Sequence, residues 1–341
     1  MITVPVVHTA EQRGEFATMS NISERENMLL VLEGKKPAWL PSFTDACAFV
    51  MSPALGRKPD PKTGYLVDIF GVSFATTIDG PVPVNTKTGQ FELADITKWK
   101  SVMPDVDLSK IDWEEDAKKV LSGFDREQKV INLNAGFIWE QMHYMMGFEN
   151  ALLSLATEPE AVYDFLNALA DFWIDAMRRQ HKYLKSDLIM VMEHVATARG
   201  MLLSPETYRK IIKPIHKKFC DAVIELGAIP EMHVDGCVED ILEDYADIGV
   251  KAIQPFQVFN DINAAKEKYG FIAIGGWDAF GSGNLPDSTE EDVRAAVRLA
   301  MDSYGPGYKY CFWASGVTPS FPGYQEWIND EAQTYGRSYY S

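Results

Sequence analysis

From about residue 128 the chain settles into a rhythm. Short apolar runs rich in β-branched and aromatic residues alternate with longer stretches whose apolar positions recur every three or four residues. The runs VINLNAGFIW (130–139), LIMVMEH (188–194), AIPEMHV (228–234), VKAIQPFQ (250–257), FIAIGGWD (271–278) and YKYCFWAS (308–315) read as strands. Helical patterns fill 140–157, 158–185, 204–226, 238–248, 262–269 and 288–304, and a last helix starts near Gly323. This alternation predicts a parallel sheet covered by helices. Upstream, a capped helix is expected from Asn21, with Ser20, Asn21 and Ser23 as cap candidates, Glu24 and Glu26 in its first turn, Gly34 as its stop and Pro37 beyond. PAWLPSF (37–43) reads as a first strand and VDIFGVSFATT (67–77) as a second, while 44–105 as a whole is an irregular excursion before the third strand, with a short helix near 96–102. Eight such units predict a single α/β domain over 21–341, a closed (β/α)8 TIM-type barrel preceded by an N-terminal arm over 1–20. A doubly wound open sheet competes with it, but no GxGxxG follows the first strand.

Composition narrows the function. With 46% hydrophobic and 24% charged residues the chain is an ordinary globular one. A net charge of −17, without a Lys/Arg cluster, argues against nucleic acid as a partner. No window approaches the roughly 18 uninterrupted apolar residues of a membrane span. The N-terminal stretch lacks the basic and apolar regions of a secretory signal. Four widely spaced cysteines suit a reducing cytoplasm, the expected location.

In a barrel of this kind chemistry gathers at the C-terminal strand ends. These carry Phe43 to Asp45, Asp68, Trp139-Glu140, Glu193-His194, His233 to Asp235, Gln254 and Gln257, Trp277-Asp278, and Cys311 to Ser315. The stretch AIPEMHVDGCV (228–238) stands out, because a buried strand ends on His233 and Asp235, Gly236 breaks it, and Cys237 starts the next helix. Three chemistries are open. A catalytic zinc could take His233, Glu193 or His194, and Asp235 or Cys311 as ligands. Glu193 and His233 could instead act as acid and base without metal. Cys237 or Cys311 could serve as a nucleophile, although no known nucleophile motif surrounds either. Trp139, Trp277 and Trp313, with Gln257 and Asp278, are expected to line a pocket for an aromatic ring or a flat macrocycle.

Several segments resemble the uroporphyrinogen decarboxylase superfamily: SERENMLLVLEGKKPAWLP, VDIFGVSF followed by ADITKWKSVMPDVD, MMGFENALLSLATEPEAVYDFL, LLSPETYRKIIKPIHKKF, EMHVDGCVEDIL and IAIGGWDAF. Together they cover most of residues 22–330. The resemblance implies a (β/α)8 barrel with its site at the C-terminal strand ends, and Asp68 is set against the catalytic aspartate of the decarboxylases. Those enzymes carry an arginine-rich segment after the first strand that binds propionates, where this chain reads LPSFTDACAFV. The other arm of the superfamily holds zinc-dependent, corrinoid-linked methyltransferases, and its thiol-methylating members bind zinc through His-x-Cys and a later Cys. Here the pair reads His233-Val234-Asp235, and the later position falls at Ser315, with Cys311 four residues before it. The resemblance is closest to the O-demethylase methyltransferases. It implies zinc on His233 with Glu193 and Asp235 or Cys311, a small methyl donor such as an aryl methyl ether, and a corrinoid supplied by a partner protein. A homodimer packed through the arm is a further expectation. A porphyrinogen decarboxylase using Asp68, or a barrel that only binds a corrinoid or tetrapyrrole, are the alternatives.

Overall fold

The computed structural model describes residues 22–77, 80–84, 91–104, 106–315 and 323–340; the expected arm lies outside them. Seven parallel strands form one curled sheet: β1 (Cys47–Val50), β2 (Val130–Phe137), β3 (Leu188–Met192), β4 (Ile229–His233), β5 (Ala252–Phe256), β6 (Ile272–Gly276) and β7 (Tyr310–Trp313). Each pairs with the next in chain order. Ser42, just ahead of β1, forms a parallel bridge with Phe312 on β7, whose N–H donates to Pro41 O at 3.0 Å. The two sheet edges are thereby drawn together. Alternate residues face in and out. Val130, Leu188, Ala252, Ile272 and Cys311 pack inside with Cys47, while outward residues such as Ile131, Leu133, Ile189 and Val191 join the larger core beneath the helices.

All six strands expected from residue 130 onward are present. The two upstream ones are not as expected, and the described sheet has seven strands rather than eight. Residues 37–43 contribute only the Ser42 bridge, because Pro37 and Pro41 have no N–H to donate to a ladder. Ser42 then caps a helical turn, Phe43–Ala46, before β1 begins. The stretch 67–77 leaves the barrel altogether. Asp68 Oδ1 accepts the N–H groups of Phe70 and Val72, both at 2.9 Å, and Gly71 takes a φ of +85°. This side-chain-closed turn reverses the chain, so Leu66–Val67 and Ser73–Thr77 pair antiparallel in a separate sheet with Lys58–Pro59 and Gly80–Val84.

The helices follow the sequence pattern closely. Glu24–Leu32 is capped by Ser23, one of the three candidates, with Glu26 completing a capping box. Its Arg25 holds both oxygens of Asp187 at 2.6 Å, and Asp187 Oδ2 also accepts Ile131 N–H at 2.8 Å, which ties this helix to the N-terminal ends of β2 and β3. The expected helix over 140–157 breaks in two, Trp139–Met146 and Phe148–Thr157, at Gly147. There φ is +76°, and a Cβ would meet the Phe91 ring at 2.4 Å. Among the described residues no helix is long and apolar enough to cross a membrane.

Candidate functional site

The C-terminal ends of β3 and β4 deliver Glu193-His194 and His233 to Asp235 side by side, with the Glu193 N–H donating to His233 O at 2.9 Å. The Glu193 side chain does not enter the mouth. It is fully buried, and its Oε1 accepts the N–H groups of Ile138 and Trp139, both at 3.1 Å, while Oε2 accepts that of Glu140 at 3.0 Å. Helix Trp139–Met146 has no side-chain cap of its own. Glu193 supplies one from across the barrel and places a negative charge at the positive end of the helix dipole. Behind it, His216 Nε2 lies 3.5 Å from Oε1.

The helix so anchored presents Glu140 to His194. His194 Nδ1–H donates to Glu140 Oε2 at 2.5 Å, and Nε2–H donates to Asp235 Oδ2 at 2.8 Å. Two carboxylate acceptors require a proton on both ring nitrogens, so His194 is an imidazolium. Burial opposes that charge, but the hydrogen bonds to Asp235 and Glu140 outweigh it and raise the pKa to about 10. Glu140 is buried, which disfavours its charge. His143 and His194 more than reverse this and hold it well below the usual carboxylate range. His143 Nε2 lies 2.9 Å from Glu140 Oε2, though outside hydrogen-bonding geometry. Asp235 is likewise lowered against the effect of burial, by His194 and His233. Its Oδ1 accepts Gln257 Nε2–H at 3.1 Å, and Gln257 Oε1 accepts Gly236 N–H at 2.6 Å.

His233 differs in state. Its Nδ1–H donates to the buried Gln254 Oε1 at 3.2 Å, which leaves the lone pair on Nε2. Burial lowers its pKa, and His194 adds to the effect while Asp235 and Gln254 oppose it. Its ring centroid lies 6.4 Å from that of His194 and 6.3 Å from that of Trp313, whose ring stacks at a tilt on Phe43 at 5.2 Å. The mouth therefore sets a fixed imidazolium beside a neutral imidazole, with an aromatic wall.

Of the residues expected from sequence, His233, Asp235, Gln257 and Trp313 gather here. Trp139 is fully buried and its indole N–H donates to His194 O at 3.1 Å, so it acts as a wall behind the site. Trp277 is buried edge-on against Phe312, and Asp278 is exposed and accepts Phe280 N–H at 3.0 Å. Asp68 sits in its hairpin turn, where Oδ2 accepts Gln141 Nε2–H at 2.9 Å; burial raises its pKa against those hydrogen bonds. The expected metal set does not converge. Glu193 spends both oxygens on the helix, Asp235 is held by His194 and Gln257, and Cys311 is buried inside the sheet in the cluster that holds Cys47. Among the described residues no group of three or more His, Cys, Asp and Glu side chains is arranged to hold a metal ion. The donors present do not fit the zinc site implied by the resemblance.

The pairing of Glu140 with His194 was not read from sequence, although both were placed at strand ends. Glu231 was missed entirely. It lies inside the sheet with both oxygens 3.0 Å from Asn132 Nδ2, and burial pushes its pKa up to about 8. Strand alternation held the signal, since in IPEMH residues 231 and 233 share a face.

The family model for uroporphyrinogen decarboxylase (URO-D) matches residues 68–322. No curated protein matches the sequence. Among solved structures, a methyltransferase from Methanosarcina mazei is 15% identical, with 94% of this chain and 100% of that chain covered and a TM-score of 0.62. This likeness is one of fold. A Xaa-Pro dipeptidase with methionine bound in its active site is 12% identical over 49% of this chain and 45% of its own, at a TM-score of 0.28. An uncharacterised protein is 10% identical over 86% and 82%, at 0.33.

Proposed function

Because the chain belongs to the uroporphyrinogen decarboxylase family, we propose that it is a methyltransferase, moving a methyl group from an aryl methyl ether to the cobalt of a separate corrinoid protein. The observation that carries this reading is His194, an imidazolium at neutral pH clamped between Glu140 and Asp235 beside neutral His233. The fold shared with the Methanosarcina methyltransferase supports it. So does the segment LPSFTDACAFV, which offers no arginine to a polycarboxylate porphyrinogen.

The reaction needs the methyl carbon to leave oxygen without the bonding electron pair. The corrinoid's cobalt, reduced and carried by the partner, supplies the nucleophile. The chain's own task is to accept the negative charge that the C–O electron pair brings to the departing oxygen. A phenol titrates near 10, as tyrosine does, and His194 is raised to about 10. Such an acid stays protonated at neutral pH, and giving up the Asp235 hydrogen bond, the largest of the effects that raise its pKa, makes it a stronger donor to the phenolate. The Nε2–H, which Asp235 accepts in the free site, swings to the leaving oxygen, and Asp235 keeps Gln257. Among the described residues the donor set does not fit a zinc ion, and the charge on the departing oxygen falls to His194.

The test is incubation of the purified protein with an aryl methyl ether and a reduced corrinoid protein, following loss of the Co(I) spectrum and release of the phenol. Stoichiometric demethylation is expected. Formation of coproporphyrinogen from uroporphyrinogen would overturn the reading in favour of decarboxylation. Tight corrinoid binding without methyl transfer would reduce the chain to a binding barrel.

A further inference from the structure

A cavity of about 350 Å³ opens between the antiparallel sheet, the end of β2 and helix Pro159–Leu184. Neither His194 nor His233 lines it. Its wall is mostly apolar, and its polar lining comes chiefly from Arg57, Asp68, Asn134, Gln141, Trp173 and Gln180. Three of these carry a buried polar atom without a partner: Asn134 Nδ2, Trp173 Nε1 and Gln180 Oε1. The residues are 4%, 6% and 3% exposed, so bulk water does not reach them freely. Their other bonding groups are already committed. Asn134 Oδ1 accepts Gly136 N–H at 3.0 Å, and Gln180 Nε2–H donates to Ala176 O at 3.3 Å. The Trp173 indole lies over Gly136, where a Cβ would come within 2.2 Å of the ring, so only glycine lets the ring form that wall. Orphaned buried polar groups are expensive, and three around one cavity ask for a ligand.

The charges say what kind. The Arg57 guanidinium stacks 3.8 Å from the Phe74 ring centroid and, among the described residues, forms no ion pair. Asp68 makes no contact ion pair with it among the described residues; its oxygens accept Phe70 N–H, Val72 N–H and Gln141 Nε2–H, and the two charges interact only at longer range. Two orphan donors and a guanidinium face one orphan acceptor, so the complementary molecule is rich in acceptors and anionic. Phe70, Phe137 and Trp173 supply ring faces. The volume lies at the low end of small-molecule pockets, about 300–1,000 Å³, which suits one ring and excludes a tetrapyrrole. We propose that this cavity binds a single-ring aromatic carboxylate, its charge facing Arg57 and its ring against Trp173 and Phe137. The inference goes beyond methyl transfer, because it requires binding alone, in a cavity that neither His194 nor His233 lines.

The experiment is calorimetric titration of the full chain with benzoate, and with anisole as the uncharged ring, in the absence of any corrinoid. Saturable one-to-one benzoate binding is expected, with anisole at least tenfold weaker. Arg57→Met and Asn134→Asp should each weaken benzoate at least tenfold. The second variant keeps the oxygen that Gly136 N–H uses, so it serves as the readout if Arg57→Met does not fold. Absence of binding at millimolar benzoate, equal affinity for anisole, or unchanged affinity in both cavity variants would overturn the proposal. The outcome is separable from that of the methyl-transfer assay, since benzoate carries no methyl group and no acceptor is present.

Discussion

Replacing Glu193 by Gln separates a positioning carboxylate from a reacting one. In the native chain three backbone N–H groups at a helix N-terminus share two carboxylate oxygens, and the residue is 0% exposed. An amide keeps one oxygen. In the better orientation that oxygen retains Ile138 and Trp139, and the new NH2 faces Glu140 N–H at about 3 Å with no water to intervene. The lost hydrogen bond to a charged acceptor is worth about 1.5–3 kcal/mol, and the two survivors weaken toward about 1 kcal/mol each. Loss of the charge at the helix end removes about 0.3–2 kcal/mol more. Relief from burying an ion offsets part of this. The net expectation is destabilisation by about 3 kcal/mol, read as a fall in the urea midpoint with unchanged m. With the helix loosened, Glu140 loses its grip on His194, so the alkaline limb of the activity profile should move to lower pH. A destabilisation under about 1 kcal/mol together with complete loss of activity would refute the argument and return Glu193 to the reacting groups.

The remaining predictions are briefer. His194 has a folded pKa raised to about 10 against 6.5, so its contribution to stability is full below pH 6.5 and is lost as pH rises through about 10; His194→Gln should flatten the stability curve over that window, measured by urea titration at several pH values. Methyl-transfer activity in the parent should fall along an alkaline limb near pH 10, and a limb centred near 6.5 would exclude the clamp. Glu231 has the same sign over a lower window: its folded pKa of about 8 exceeds the usual 4.5, so native protein holds the extra proton between them and stability falls as pH rises across that range. Glu231→Gln should remove this fall and, at pH 9, stabilise the chain by a few kcal/mol at about 1.4 kcal/mol per unit, because the new amide can also donate to the orphan Asn132 Oδ1. Gly147→Ala forces a Cβ to 2.4 Å from the Phe91 ring at a φ of +76° and should destabilise by about 1–3 kcal/mol, visible as a lower thermal midpoint.

The parallel sheet from residue 130 onward was legible because its strands are buried on both faces and read as continuous apolar runs, each followed by a helical period. The upstream strands were not. VDIFGVSFATT has the composition of one buried strand, yet a single Asp side chain closing on Phe70 and Val72 folds it into a hairpin. Composition does not reveal such a local hydrogen bond. In the site, strand ends identified which residues arrive at the mouth but not how they pair. Glu193 and Glu140 are both carboxylates near a strand end. Only the orientation of Trp139–Met146 sends one to the helix amides and the other to His194. The cavity was invisible in sequence because its walls come from β2, a helix about 40 residues later and a hairpin outside the barrel.

Helix Trp139–Met146 also joins the two polar regions. Its consecutive residues Glu140 and Gln141 point to different partners, Glu140 to His194 and Gln141 to Asp68 in the cavity wall. Residues adjacent on a helix diverge by about 100°, as its 3.6-residue turn dictates. A ligand that drew Asp68 or Gln141 toward itself would act on the first turn of Trp139–Met146, whose amides are fixed by one carboxylate. The same turn sets the distance from Glu140 to His194, and so the acidity of the imidazolium. Such a ligand would shift the pKa at the mouth through a rigid element rather than through contact. Because coupling free energies are reciprocal, a change in His194 acidity on cavity binding requires cavity affinity to change by the same factor between the two protonation states.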